Sequence, residues 1–225
     1  MIPRKLLDRA LTPDKSCELQ LYQRGDDFFI SLDGKELMTS RMHGSEAVLA
    51  ELACTPIANR AKARVLVGGL GMGYTLAAAL SVLRDDASVI VAELVPAVVR
   101  WNRGILGGLA GHPLDDKRVT VQEHDVCILL KNEPGGFDAV MLDVDNNPRS
   151  LTQKSNDWLY CDTGLPFICM ALRRQGVLTV WSTGPDSAFS LRLRNAGFRV
   201  QVKTVSARGC GKGGRHTIWV ATRPD

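Results

Sequence analysis

The sequence predicts an α/β fold, with a doubly wound, mostly parallel sheet that ends in an antiparallel hairpin and follows a small N-terminal β-meander. From Ala63 onward, short apolar runs alternate with helical patterns, and this alternation is typical of a parallel sheet with helices on both faces. The last two apolar runs, 198–205 and 216–221, are joined directly by a glycine-rich loop. They therefore predict a hairpin, which places the final strand antiparallel to its partner.

The elements follow from hydrophobic periodicity. The N-terminal 1–16 carry no clear pattern, 17–40 predict strands with a hairpin turn at Asp33-Gly34, and 45–54 predict a helix that stops at Pro56. We expect strands at 64–67, 88–92, 118–122, 137–142 and 176–181, and helices near 73–83, 96–106, 159–173 and 186–195. The predicted division is a β-strand region with its exit helix over 1–55 and a catalytic α/β domain over 56–225.

Composition limits the class of protein. The chain has 225 residues, of which 45% are hydrophobic, enough to bury a full core. Its net charge of +4 is mild and forms no basic block, so we expect neither nucleic acid nor a membrane as partner. Six cysteines show no C-x-x-C pair and no zinc-type spacing with histidine. This pattern, with no signal-like N-terminal segment, predicts a cytoplasmic protein that binds no metal.

A glycine cluster follows the first strand of the predicted sheet. Gly69, Gly71 and Gly73 are spaced G-x-G-x-G, whereas a dinucleotide fingerprint would have its third glycine at position 74, which is tyrosine here. The next strand ends in Glu93, a carboxylate that can bind both hydroxyls of a ribose. Together they indicate a nucleoside pocket for S-adenosylmethionine or a relative. The alternatives are a ligand-free turn and a solvated acid.

Acidic residues also follow two further strands. Asp125 can accept a hydrogen bond from an adenine amine, or it can cap the helix that starts at Val126. The strand 137–142 delivers Asp143 and Asp145 into one loop, where a carboxylate can hold a cationic amine or take its proton. An Asx-type turn closed by Pro148 is the alternative. The aromatic residues of 158–160 could wall the substrate side of the site or pack in the core.

These motifs resemble those of the spermidine synthases, the polyamine aminopropyltransferases, over most of the chain. The similarity rests on the glycine cluster with Glu93, on Asp125, on the acidic loop after 137–142, and on N- and C-terminal segments that include Ser45-Glu46 and 213–218. It implies a class I methyltransferase-like Rossmann fold and transfer of a 3-aminopropyl group from decarboxylated S-adenosylmethionine to a putrescine-like di- or polyamine. It also implies a homodimer.

The resemblance also implies roles for individual residues. Asp143 would be the catalytic acid, assisted by Tyr160. The cofactor-binding residues would be Gly69, Gly71, Gly73, Glu93 and Asp125, and the substrate-binding residues Asp145, Trp158 and Glu46. The chain departs from the family on the acceptor side, where the usual Asp-Ser-Ser/Thr-Asp-Pro loop is replaced by 143–148 and the usual Tyr-His-Glu by 43–46.

Two other functions stay open at this level. The first is methyl transfer from intact S-adenosylmethionine, since one fold serves many activities. Such an enzyme must bind the methionine carboxylate, for which Arg41 is a candidate. The second is a non-catalytic module that binds an adenosyl ligand, which the altered acidic loop would explain.

Overall fold

The N-terminal part of the protein is a four-stranded antiparallel sheet. We describe the molecule from a computed structural model that defines residues 3–144, 157–208 and 213–225. The strands lie in chain order, each paired with the next. They are β1 (Lys5–Leu11), β2 (Glu18–Arg24), β3 (Asp27–Leu32) and β4 (Lys35–Thr39).

The rest of the described chain is built on a seven-stranded sheet. Its strands are β5 (Arg64–Gly68), β6 (Ser88–Ala92), β7 (Val119–Gln122), β8 (Phe137–Leu142), β9 (Leu172–Ser182), β10 (Arg199–Ser206) and β11 (Arg215–Thr222). Their order across the sheet is β10-β11-β9-β8-β5-β6-β7. Strands β5 to β9 are parallel, and β11 runs antiparallel between β9 and β10. The predicted fold class is confirmed.

Helices cover both faces of this sheet. They are α1 (Gly44–Cys54), α2 (Tyr74–Val82), α3 (Pro96–Arg103), α4 (Val126–Asn132), α5 (Asp157–Tyr160), α6 (Leu165–Ala171) and α7 (Ser187–Asn195). Alternate residues of each strand point to opposite faces. Val65 and Val67 therefore pack with α1, α2 and α3, whereas Leu66 packs with α4, α6 and α7. None of the helices in the described ranges has the length and apolar character needed to cross a bilayer.

The N-terminal sheet and the large sheet share one core. Leu21 and Ile30 of the small sheet belong to the same buried cluster as Val65 and Val67. Helix α1, which follows β4, packs against α2 and also contacts β8 and β9. This packing places the small sheet on the face of the large sheet that carries α2 and α3.

The structure differs from the predicted elements in two places. Strand β1 lies within the N-terminal stretch that shows no sequence pattern. Its residues are mostly half-buried and alternate poorly, because the strand is at the edge of its sheet. The helix predicted over 159–173 is divided into α5 and α6. Gly164 packs against the carbonyl of Trp158, and Pro166, which lacks an N–H donor, begins a new helix.

Candidate active site

The site lies where the order of the sheet reverses. From β5 the chain continues to β6 and β7 on one side, and it returns to β8 and β9 on the other. Ligands of doubly wound sheets bind in the crevice outside the carboxyl ends of the strands at such a point. The ends of β5 and β8 are held together by the N–H of Asp143, which donates to the carbonyl of Gly68 at 3.0 Å.

The glycine loop lies at the base of this crevice. Gly69, Gly71 and Gly73 have φ values of +86°, +54° and +84°, which other L-residues rarely adopt. A Cβ on Gly69 would lie 2.5 Å from the carbonyl oxygen of Asp143, so the loop and the end of β8 approach as closely as backbones can. Gly69 and Gly71 line a cavity of about 400 Å³. Gly73 instead precedes the first turn of α2 and faces Asn102.

Asn102 of α3 holds the glycine loop from behind. Its Nδ2 donates to the carbonyl oxygens of Gly71, at 2.8 Å, and of Val98, at 2.9 Å. The side chain is 98% buried, and its Oδ1 is the only described buried side-chain oxygen or nitrogen without a hydrogen-bond partner. The sequence contains no signal for these hydrogen bonds, because the partners of a helical asparagine become known only when the fold is known.

Glu93 lies at the carboxyl end of β6 and lines the cavity. One carboxylate oxygen accepts a hydrogen bond from the N–H of Leu70 at 2.9 Å, and the other accepts from the N–H of Val95 at 2.8 Å. Burial raises the pKa of this carboxyl group, while the backbone donors act against that shift. Each oxygen keeps a second lone pair, so Glu93 can both brace the glycine loop and accept ribose hydroxyls.

We expect Glu93→Ala to weaken the binding of S-adenosylmethionine or its decarboxylated form by about 1–3 kcal/mol, through loss of charge-assisted hydrogen bonds. Calorimetry on the purified variant measures the change. Glu36→Ala is the matched control, since Glu36 also lines the cavity but bonds to Arg4, which precedes β1, rather than to the glycine loop. Unchanged affinity in Glu93→Ala would exclude Glu93 from the ligand site.

Asp125 caps a helix and also lines the cavity. Its Oδ1 accepts a hydrogen bond from the N–H of Cys127 at 2.8 Å, so it caps helix α4. The same side chain also lines the cavity, next to Val126 and His124. A carboxylate has about four acceptor positions, and the cap occupies one of them. Contact with an adenine amine therefore remains compatible with the cap, and it stays a prediction.

Two further acidic side chains of the lining, Asp143 and Glu46, are close enough for their charges to interact. Asp143 follows β8, and its Oδ2 accepts a hydrogen bond from Thr75 Oγ1 at 3.1 Å. Glu46, from the first turn of α1, is 7% exposed. Burial raises the pKa of Asp143 to about 6. The pKa of Glu46 rises to about 8, first through burial and then through the negative charge of Asp143. Such a pair holds one proton readily and favours a cationic partner.

Tyr160 and Trp158, which were predicted to face the substrate, do not line the cavity. Tyr160 is 3% exposed, with its ring edge-on to Phe189 in the core beneath α7. Trp158 packs beside Phe167, with the ammonium group of Lys131 over its ring. Neither residue is among those that line the cavity. Their proposed contacts with substrate stay predictions, and Asp145 lies outside the described residues.

The cavity is also lined by a histidine that is not among the predicted site residues. His216 of β11 lies with Trp181 of β9 on the wall beside Glu46, and their rings meet edge-to-face at 4.6 Å. His43 does not line the cavity and stacks on Tyr74 at 4.1 Å. His216 and Trp181 are more than thirty residues apart in sequence and meet only because β11 pairs with β9. No local pattern could therefore indicate their contact.

The small sheet closes the cavity with an apolar wall. Its contributing side chains are Leu19, Ile30, Leu32, Leu37 and Met38. Five carboxyl groups also line the cavity: that of Glu36 comes from the small sheet, and those of Glu46, Glu93, Asp125 and Asp143 come from the rest of the chain. None of the described lining residues is lysine or arginine. Arg41, the candidate partner for a methionine carboxylate, is instead paired with Asp27 at 2.5 Å and does not line the cavity.

Solved structures share this architecture over nearly the whole chain. The spermidine synthase from Thermotoga maritima matches with a TM-score of 0.77 and 18% identity, over 97% of this chain and 73% of that chain. A spermidine synthase in complex with the transition state analogue AdoDATO matches with a TM-score of 0.76 and 18% identity, over 97% and 72%. The chain has a spermidine synthase-like fold.

A more distant member of the same group is also similar. A probable spermidine synthase from Corynebacterium glutamicum matches this chain with a TM-score of 0.68 and 14% identity, over 97% of this chain and 79% of that chain. No protein-family model and no curated protein sequence matches the chain. The likeness is therefore one of fold.

Proposed function

We propose that this protein transfers a 3-aminopropyl group from decarboxylated S-adenosylmethionine to an amine acceptor. The observation that carries the proposal is the charge of the cavity, which has five carboxyl groups and, among the described lining residues, neither lysine nor arginine. A donor that has lost its carboxylate brings only positive charge to this cavity. An intact methionine group would bring a carboxylate close to acids with no cation to pair it, which is unfavourable.

The proposed reaction is a single displacement. The lone pair of the acceptor nitrogen attacks the methylene carbon next to the sulfonium, a carbon–nitrogen bond forms, and the carbon–sulfur bond breaks. Its electron pair stays on sulfur, so methylthioadenosine leaves as a neutral thioether. The nitrogen loses one proton overall, and Asp143 is placed to receive it. Because the sulfonium is already an activated leaving group, the protein mainly has to align the two substrates and deprotonate the amine.

The cavity walls divide these tasks. Glu93, Gly69 and Gly71 lie together at the ends of β5 and β6, where they would hold the adenosine part of the donor. Asp143 and Glu46 lie together at the end of β8, where they would hold the ammonium group of the acceptor. The proposal is further supported by the solved spermidine synthase that shares this fold and carries a transition state analogue. The acceptor belongs to the class of di- or polyamines, since several acids favour several positive charges.

Titration calorimetry with the two forms of the donor tests the proposal. We expect decarboxylated S-adenosylmethionine to bind about 10–100-fold more tightly than the intact form, equivalent to about 1.4–3 kcal/mol of carboxylate penalty. Incubation with putrescine and the decarboxylated donor should then release methylthioadenosine. Tighter binding of the intact form would instead favour a methyltransferase, and donor binding without transfer to any diamine or polyamine would favour a non-catalytic module.

A further inference from the structure

A buried hydroxyl connects Glu46 to the neighbouring wall of the cavity, formed by His216 and Trp181. Ser45 is fully buried, and its Oγ lies 2.7 Å from Oε2 of Glu46 and 2.8 Å from Nδ1 of His216. The indole Nε1–H of Trp181 donates to the same oxygen at 3.0 Å. Three elements of the fold, α1, β9 and β11, thus meet at one serine oxygen.

The hydrogen-bonding capacity of this oxygen restricts its possible states. A hydroxyl has one hydrogen and two acceptor lone pairs. Trp181 can only donate, so it occupies one lone pair. One hydrogen and one lone pair are left for Glu46 and His216, and Ser45 must therefore donate to one of them and accept from the other.

Two arrangements satisfy this restriction. In the first, protonated Glu46 donates to Ser45, and Ser45 donates to the bare Nδ1 of neutral His216. In the second, ionised Glu46 accepts from Ser45, and His216 donates to Ser45 through a protonated Nδ1. The two arrangements differ by the passage of one proton from the carboxyl group to the imidazole.

We propose that Ser45 and His216 form a proton relay that starts at Glu46 and discharges the acid pair, so that Asp143 can take the proton given up by the amine acceptor. This inference rests on the proposed function, since aminopropyl transfer to an ammonium substrate releases one proton per turnover. Glu46 passes a proton to Ser45 Oγ while Ser45 passes its own hydrogen to His216 Nδ1. The resulting imidazolium then loses its Nε2 proton to water. The proton that Asp143 takes from the amine then replaces the one lost from Glu46, and proton exchange with water returns the ring hydrogen from Nδ1 to Nε2. Each turnover thus brings one proton to the acid pair and releases one from the ring.

The groups around the relay favour its first arrangement before substrate binds. Burial and the neighbouring Asp143 raise the pKa of Glu46, whereas burial lowers the pKa of His216. Burial, and then the charge of Glu46, raises the pKa of the Tyr74 phenol, which donates to the carbonyl of Ser40 at 3.2 Å. Arrival of a cationic amine beside Glu46 would favour its ionised form and would drive the proton towards His216.

Nuclear magnetic resonance of ¹⁵N-labelled histidine tests the relay without any turnover. In the wild type at neutral pH, we expect His216 to be neutral with its hydrogen on Nε2, because Ser45 donates to Nδ1. Ser45→Ala removes that donor and should shift the ring towards a mixture of tautomers. Identical His216 signals in the wild type and in folded Ser45→Ala would overturn the inference, whatever reaction the protein performs.

Kinetics with the decarboxylated donor and putrescine provide the second test. His216→Ala should lower kcat by about 10–100-fold at nearly constant KM, and added imidazole should restore part of the loss. His216→Asn is the matched control, since its amide can bond to Ser45 but cannot carry the proton, and imidazole should not restore it. Full activity in His216→Asn would overturn the relay. Absence of transfer by the wild type would contradict the proposed function and leave the resonance test to decide the hydrogen-bond arrangement.

Discussion

Asp143→Asn is expected to lower kcat for aminopropyl transfer by about 100- to 10,000-fold while leaving the affinity for methylthioadenosine nearly unchanged. The amide has almost the same shape as the carboxylate, and it can still accept the hydrogen bond from Thr75 Oγ1. It cannot, however, take a proton from the attacking amine. Steady-state kinetics and calorimetry on the same preparation measure the two effects separately.

Glu36→Gln provides the control for the loss of one negative charge from the cavity. Glu36 lines the cavity from the small sheet, and its side chain is bonded to Arg4 rather than to the acid pair. We expect its turnover to stay within about threefold of the wild type, as for a surface ion pair of small energy. Wild-type turnover in Asp143→Asn would remove the proposed role of this residue, and so would equal losses in both variants.

The pH profile provides a second check on Asp143. Only the ionised carboxylate can accept a proton, and burial raises the pKa of this group to about 6. In the wild type, kcat/KM should therefore fall as the pH drops through about 6. Asp143→Asn should lack that acid limb in its residual activity.

Gly69→Ala is expected to cause the largest structural loss in the site. The new Cβ would lie 2.5 Å from the carbonyl oxygen of Asp143, at a φ of +86° that L-residues rarely adopt. Neither the oxygen nor the loop can move without separating the ends of β5 and β8. We expect the free energy of unfolding to fall by at least about 3 kcal/mol, from left-handed strain plus overpacking. Binding of adenosyl ligands should be lost as well.

Gly197→Ala separates the two contributions. Gly197 has a φ of +96°, and a Cβ there would meet nothing within 4 Å. It should therefore lose only about 1–2 kcal/mol from the backbone conformation. Chemical denaturation of both variants measures the difference. Equal losses in the two variants would show that the close approach of Gly69 to Asp143 contributes nothing.

The sheet, and the positions of the glycine loop and of two acids at its strand ends, could be predicted because their signals are local. An apolar run followed by glycines requires a strand and a tight turn, and Glu93 and Asp143 each end a buried strand, so the parallel topology carries both to the same edge. The alternation of strands and helices likewise indicated the order of the elements. The edge strand β1 was missed because its pairing with β2, rather than local preference, decides it, and the break in the helix was missed because it depends on the close packing of Gly164 against Trp158.

The residues of this chain by themselves determined an α/β sheet with a glycine loop and acids at its strand ends, since these features depend on short-range periodicity and on the geometry of parallel strands. Only the tertiary structure decided which polar groups meet. It formed the hydrogen bond from Asn102 to Gly71, the ion pair of Arg41 with Asp27, and the hydrogen bond between Ser45 and His216. Such contacts depend on the packing of α1 and of the small sheet against the large one, and a hydrogen bond between residues far apart in sequence leaves no periodic trace.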